Sequence, residues 1–126
     1  MPKDDGNLVK LPGAEQAVVE RPKVADYLLS ESHPVGRFKS TFFMALGYSA
    51  AAWEILAADL QRHVSENEAL ATEANQYGQK YEVRGSLSAP MGRTVALITV
   101  WIVLRGENFP RFVTAFPGRR HEIQTT

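Results

Sequence analysis

The sequence predicts an α+β fold, and three observations carry that prediction. Apolar residues recur at helical spacing through the first two-thirds of the chain, the period changes to two after Tyr77, and a β-branched run follows from Thr94. The expected architecture is a set of N-terminal helices packed on a C-terminal three- to four-stranded antiparallel β-meander. A chain of 126 residues fits one domain. Its expected limits are residues 13–117, with flexible tails at 1–12 and 118–126.

The elements follow in order. Residues 1–12 are polar, with scattered Pro and Gly and no periodicity. Ala17-Val18-Val19 reads as a short edge strand. Pro22 suits the first turn of a helix, where its missing N–H costs nothing, and Val24, Tyr27 and Leu28 continue at helical spacing to about Ser30. Glu31 to Gly36 is a break, because Pro34 disfavours helical geometry at His33. A second helix is expected from Gly36 to Leu46, with Phe38, Phe42, Phe43 and Leu46 as its apolar face and Gly47 as its stop. Ser49 caps a third helix. Trp53, Leu56, Leu60 and Val64 form its buried stripe, while Glu54, Asp59, Gln61, Arg62 and His63 are expected to face water. Glu66–Glu73 reads as a frayed turn or a short helix.

Tyr81, Val83 and Leu87 then alternate with charged residues, as in a half-buried strand. Ala89 to Gly92 is a turn. Thr94 to Leu104 is apolar at nearly every position, as expected of a strand covered on both faces. After a turn at Arg105 to Asn108, Arg111 to Phe116 is the last strand, bounded by Pro110 and Pro117.

Composition narrows the chemistry. There is no cysteine, so disulfides and thiolate metal sites are excluded. The N-terminus shows no apolar signal region, and the longest apolar run falls well short of a membrane span. A cytoplasmic location without membrane contact is the expectation. The net charge is zero, yet residues 77–126 carry seven Lys/Arg against three Asp/Glu. That basic half either favours a phosphate-bearing partner or pairs with the acidic helices of its own domain.

The strongest local cluster is Ser32-His33-Pro34-Val35-Gly36-Arg37-Phe38-Lys39. Helix-entry N–H groups can hold an anion, Arg37 and Lys39 add positive charge, and His33 is the nearby acid or base for neutral pH. This is the set that RNA cleavage by internal transfer requires. The plain alternative is a loop entering a helix, with solvated basic residues. On the sheet, Thr99 and Trp101 share one face of the penultimate strand and are candidate binding residues together with Arg111. Thr99 is the polar oddity of that strand, and Trp101 reads more simply as packing. Alternation puts Arg111 and Thr114 on opposite faces, so one site could use both only through a bulge. No metal site, cofactor loop or nucleophile elbow is present in the sequence.

Several blocks carry a family resemblance: Lys23…Asp26-Tyr27-Leu28-Leu29, the Ser32–Lys39 run, Leu46-Gly47-Tyr48, Tyr77-Gly78-Gln79-Lys80-Tyr81, and Trp101-Ile102-Val103…Gly106-Glu107-Asn108-Phe109-Pro110-Arg111-Phe112-Val113-Thr114. Over roughly residues 11–117 the chain resembles an uncharacterised bacterial domain-of-unknown-function family, number 6883. The helices-then-sheet order and the closing strand with its threonine also look like toxin ribonucleases of the barnase/EndoU/colicin/RelE-like class. That resemblance implies catalytic roles for His33, Arg37, Lys39 and Thr114 or Arg111. Two functions stand as expectations. One is a non-catalytic binding domain, holding a protein partner or self-associating through a sheet edge. The alternative is a metal-independent ribonuclease-like domain, with RNA as substrate and no cofactor.

Overall fold

The structure, a computed structural model, describes residues 8–118. Five strands form one antiparallel sheet in chain order: β1 (Leu8–Lys10), β2 (Glu68–Ala74), β3 (Gly78–Ser88), β4 (Thr94–Leu104) and β5 (Arg111–Pro117). The helices lie between β1 and β2 in the chain. They are α1 (Arg21–Lys23), which runs directly into a π-helical turn at Val24–Leu28, then α2 (Arg37–Ala45) and α3 (Trp53–Glu66). The fold is α+β, as the change of period predicts.

The core forms where α3, the π-turn and α2 cover one face of the sheet. Val24, Leu28, Phe43, Leu46, Leu56, Leu60 and Val64 pack on Val83, Leu97, Trp101 and Ala115. Pro22 occupies the first turn of α1 and Ser49 caps the turn leading into α3, accepting a hydrogen bond from Ala52 N–H. Register places Val83 opposite Thr99 and Tyr81 opposite Trp101, so the inward faces of β3 and β4 coincide.

The sheet is larger than expected. Glu68-Ala69-Leu70-Ala71-Thr72-Glu73-Ala74 has the composition of a helix, and read alone it suggests one. It is strand β2 because pairing with β3 on one side and β1 on the other overrides local preference, and because Ala69 packs, fully buried, into the core. Within the expected 1–12 tail, residues 8–10 form β1 and Leu11 is buried, while residues 1–7 lie outside the described residues. Of the 118–126 tail, 119–126 also lie outside them. Val18 forms an isolated parallel bridge to Arg111 rather than a strand.

Three side-chain placements differ from the periodic pattern. Phe38, expected on the apolar face of α2, is 72% exposed. Asp59 is buried, accepting a 2.6 Å hydrogen bond from the Tyr48 hydroxyl and an ion pair from Arg62. Burial pushes the Tyr48 phenol up to about 12 against the opposing charge of Arg62. His63 is buried too, and it resolves the Thr99 oddity. Trp101 Nε1–H donates to Thr99 Oγ1 at 2.8 Å, and Thr99 lies 3.0 Å from His63 Nδ1. His63 Nε2 reaches the Gly85 carbonyl at 3.2 Å. A carbonyl only accepts, so Nε2 carries the ring proton and Thr99 donates to Nδ1.

Candidate functional site

A cleft of about 540 Å³ opens beside the π-turn, lined by Pro22, Lys23, Asp26, Tyr27, His33, Val35, Val113 and Thr114. Three chain segments build it. The π-turn presents Tyr27, the loop into α2 presents His33 and Val35, and β5 presents Val113 and Thr114. Single π-turns inside helices recur at functional sites, because the extra residue turns a side chain out of the regular helical row.

Gly36 makes the junction possible. Its φ of −60° is ordinary, so the requirement is space: a Cβ there would lie 1.8 Å from the Tyr27 carbonyl oxygen. With no side chain at Gly36, the entry of α2 rests on the Tyr27 backbone. Lys39, one turn into α2, then points back at the Tyr27 side chain. Its Nζ donates to Tyr27 Oη at 3.0 Å and to Thr114 Oγ1 at 2.6 Å, and the two hydroxyls are 3.0 Å apart. An ammonium has three N–H groups, so one remains beyond these two bonds. Burial acts to raise the Tyr27 phenol, but hydrogen bonds from Lys39 and Thr114 and the charges of Lys39 and Lys23 prevail, holding it below its ordinary 10.0.

His33 sits edge-on to Tyr27, with ring centroids 5.1 Å apart. Its Nδ1 accepts the backbone N–H groups of Val35 and Gly36, each at 3.0 Å. The ring therefore caps the turn into α2, and its proton is placed on Nε2. In that arrangement His33 offers a donor to the cleft and no free lone pair. Of the two roles that the sequence leaves open to His33, acid or base, this arrangement suits the donor, because the lone pair that a base needs is spent on the turn.

Of the residues expected to act together, His33, Lys39 and Thr114 meet around Tyr27. Neither Lys39 nor Arg37 is among the residues lining the cleft: Lys39 reaches it through its bonds to Tyr27 and Thr114, whereas the Arg37 guanidinium lies 4.6 Å over the exposed Phe38 ring. Arg111 is committed to carboxylates, with 2.9 Å bonds to Glu107 and a 3.5 Å contact to Glu20. A register shift opposite Val100 and Trp101 makes Arg111 pair with Ile102 and Thr114 with Val100. The bulge thus brings both to the same side of the ladder despite their odd spacing. Even so, they serve separate clusters. Thr99 and Trp101, expected as binding residues, are fully buried in the His63 network and are not among the residues lining this cleft.

The sequence does not mark Tyr27, Lys23 and Asp26 by their chemistry. Tyr27 reads as one apolar position of a helical stripe, and only the fold shows that a stripe ending in a π-turn carries a phenol to a lysine 12 residues on. A second groove, lined by Lys10, Glu66, Asn67, Glu68, Leu70, Glu82 and Arg84, mixes both charges. Among the described residues no group of three or more His, Cys, Asp or Glu could hold a metal ion. No single described helix is long and apolar enough to cross a membrane.

The family described as "Domain of unknown function (DUF6883)" matches residues 10–119, and the chain belongs to that family. Among solved structures, the chain shares its fold with a chain of a contact-dependent growth inhibition toxin–immunity protein complex from Klebsiella pneumoniae 342. The TM-score is 0.62 at 18% identity, covering 85% of this chain and 97% of that one. No curated protein matches.

Proposed function

We propose that the cleft cleaves RNA by internal phosphoryl transfer without a metal ion, with Tyr27 and Lys39 as its acid–base pair. The observation that carries this reading is the 3.0 Å bond from Lys39 Nζ to a Tyr27 phenol already held below its ordinary range in a cleft. Tyr27 in its phenolate form accepts the proton of a ribose 2′-hydroxyl while the 2′-oxygen bonds to phosphorus. The P–O5′ bond breaks, and the leaving oxygen takes a proton from the Lys39 ammonium. Tyr27 is then a phenol and Lys39 an amine. Transfer of one proton across their shared hydrogen bond restores the starting pair, so the cycle balances. Thr114 donates to the phenolate, and the Nε2–H of His33 and the charge of Lys23 steady the phosphoryl oxygens. Asp26 is the cleft's one carboxylate, which suits a route needing no metal clamp.

The fold shared with a chain of a toxin–immunity complex suits a toxin–immunity setting and fits a toxin domain and its protein-binding counterpart equally. A second reading is a protein-binding domain. Here the support is that β5 lies at the sheet edge, with Val18 bridging it only at Arg111. Incubation of the chain with a mixed RNA pool separates the two. The nuclease reading expects products ending in 2′,3′-cyclic phosphate, absent with Tyr27→Phe and with strands lacking the 2′-hydroxyl. A wild-type chain that leaves every RNA intact sinks it.

A further inference from the structure

Two exposed apolar side chains stand at the entry of α2, one of them, Val35, in the lining of the cleft, and nothing in the proposed chemistry uses them. Val35 lines the cleft and is 53% exposed, and Phe38 is 72% exposed. The Phe38 N–H bonds to the Val35 carbonyl at 3.1 Å, so the two lie one turn apart along the entry of α2. The Arg37 guanidinium lies 4.6 Å over the Phe38 ring. Helical rotation then separates functions within three residues. Lys39 turns inward to Tyr27 and Thr114, while Arg37 and Phe38 stay outside as a flat, cationic aromatic pair.

We propose that Phe38, with Arg37, is a stacking platform for an unpaired nucleobase beside the phosphate held at Lys39, which makes single-stranded RNA the substrate class of this cleft. The inference rests on the nuclease reading above for its setting. Its own warrant is the geometry of the platform. An aromatic ring open to solvent costs the free protein hydration, and a guanidinium beside it attracts a phosphate-bearing strand. A paired base has its faces occupied by its neighbours in the duplex and offers none to Phe38, whereas a single strand can splay a base onto the ring. Positive charge at Lys23, Arg37 and Lys39 complements the backbone on either side of that base.

The test uses the full chain and a fluorescently labelled 2′-O-methyl oligoribonucleotide of mixed sequence, whose blocked nucleophile prevents cleavage. Anisotropy reads binding of the strand alone and of the strand annealed to its complement. The platform predicts tighter binding of the single strand, a loss of about tenfold in affinity for Phe38→Ala, and retention by Phe38→Trp. Met91→Ala, at the exposed β3–β4 turn, serves as control and leaves affinity unchanged. Equal affinity of Phe38→Ala and wild type, preference for the duplex, or binding of a protein through Phe38 with no binding of either RNA overturns the platform. The two readings fail separately. A chain that cleaves RNA but binds equally well without Phe38 keeps its nuclease assignment and loses the platform. A chain that binds the strand through Phe38 but cleaves nothing keeps the platform and loses the nuclease.

Discussion

Lys39 Nζ and Thr114 Oγ1 meet at 2.6 Å although 75 residues separate them. The contact joins the first turn of a helix to the edge strand of the sheet, and Tyr27 is bonded to both. Its position depends on two backbone details. Gly36 lets α2 rest on the π-turn, and the bulge in β5 sets the phase of Thr114. Perturbing any member of this triad is therefore expected to register at the phenol of Tyr27.

Lys39→Met removes the largest influence that lowers the Tyr27 phenol, leaving burial opposed only by the Thr114 bond and the Lys23 charge. Ultraviolet titration of tyrosinate should show the corresponding transition move to higher pH than in wild type. Cleavage should fall by about 10²–10⁴-fold, the usual worth of a positioned acid or base. Thr114→Val should move the transition the same way by less, since the bond to Lys39 survives. An unchanged titration in Lys39→Met would show that the pair does not act as one unit.

The pH profile follows from the same group. The phenolate is the reactive form, and its fraction grows about tenfold per pH unit below the Tyr27 transition. Cleavage should rise with pH and level off below 10, because the group is held under its ordinary value of 10.0. Tyr27→Phe should lose that rising limb along with most of the activity. A wild-type rate that is flat from neutral to alkaline pH assigns the base elsewhere.

For His33 two substitutions separate donor from cap. Its Nδ1 accepts from Val35 and Gly36, which leaves Nε2–H as the donor that the ring can offer to the cleft it lines. Asparagine can reproduce the acceptor in such a turn, whereas alanine cannot. His33→Asn is expected to keep the wild-type melting temperature and lose cleavage. His33→Ala should lose both, with a stability cost of about 1 kcal/mol typical of a lost cap. Full activity in His33→Asn would reduce His33 to a cap alone.

Gly36→Ala tests the junction itself. The added methyl would collide with the Tyr27 carbonyl, a backbone atom that cannot swing aside. The α2 entry must lift, lengthening the bond from Lys39 to Tyr27. Reduced cleavage and a lower melting temperature together are the expected result. Unaltered values for both would mean that the helix entry relaxes without disturbing the site.

How much of this was legible in the sequence depends on whether a feature is local. The period change at Tyr77, the Trp53–Val64 stripe and the proline brackets of β5 are local, and they give the architecture. The identity of β2 is not, because Ala and Glu prefer helix until β1 and β3 pair with them. In the site, His33 and Lys39 stand out as polar residues at a helix entry, and Thr114 came with the resemblance. Tyr27 was hidden because a tyrosine at helical spacing is most simply a core residue. Arg37 is adjacent to the cluster in sequence but not in space, because each helical position turns a side chain about 100° from the one before it. Thr99 has no evident partner in the sequence because His63, its partner in the fold, sits at a position of α3 outside the apolar stripe.

That last network carries the remaining prediction. Burial holds the His63 imidazole below its ordinary 6.5, against the opposing pull of the Gly85 and Leu97 carbonyls and the Glu66 charge. The folded state then binds fewer protons at His63 than the unfolded chain does. The contribution to stability is complete above pH 6.5 and is lost as pH falls through the lower folded value. Protonation also disrupts the relay, since Nδ1 must become a donor facing the Thr99 hydroxyl that now donates to it. Urea unfolding should show stability dropping across mildly acid pH, and His63→Leu should flatten that drop. Thr99→Val keeps the shape of the side chain but strands Trp101 Nε1–H and His63 Nδ1, at about 1–3 kcal/mol for each group. If Thr99→Val unfolds at the wild-type urea concentration, the threonine is not the link that the geometry makes it.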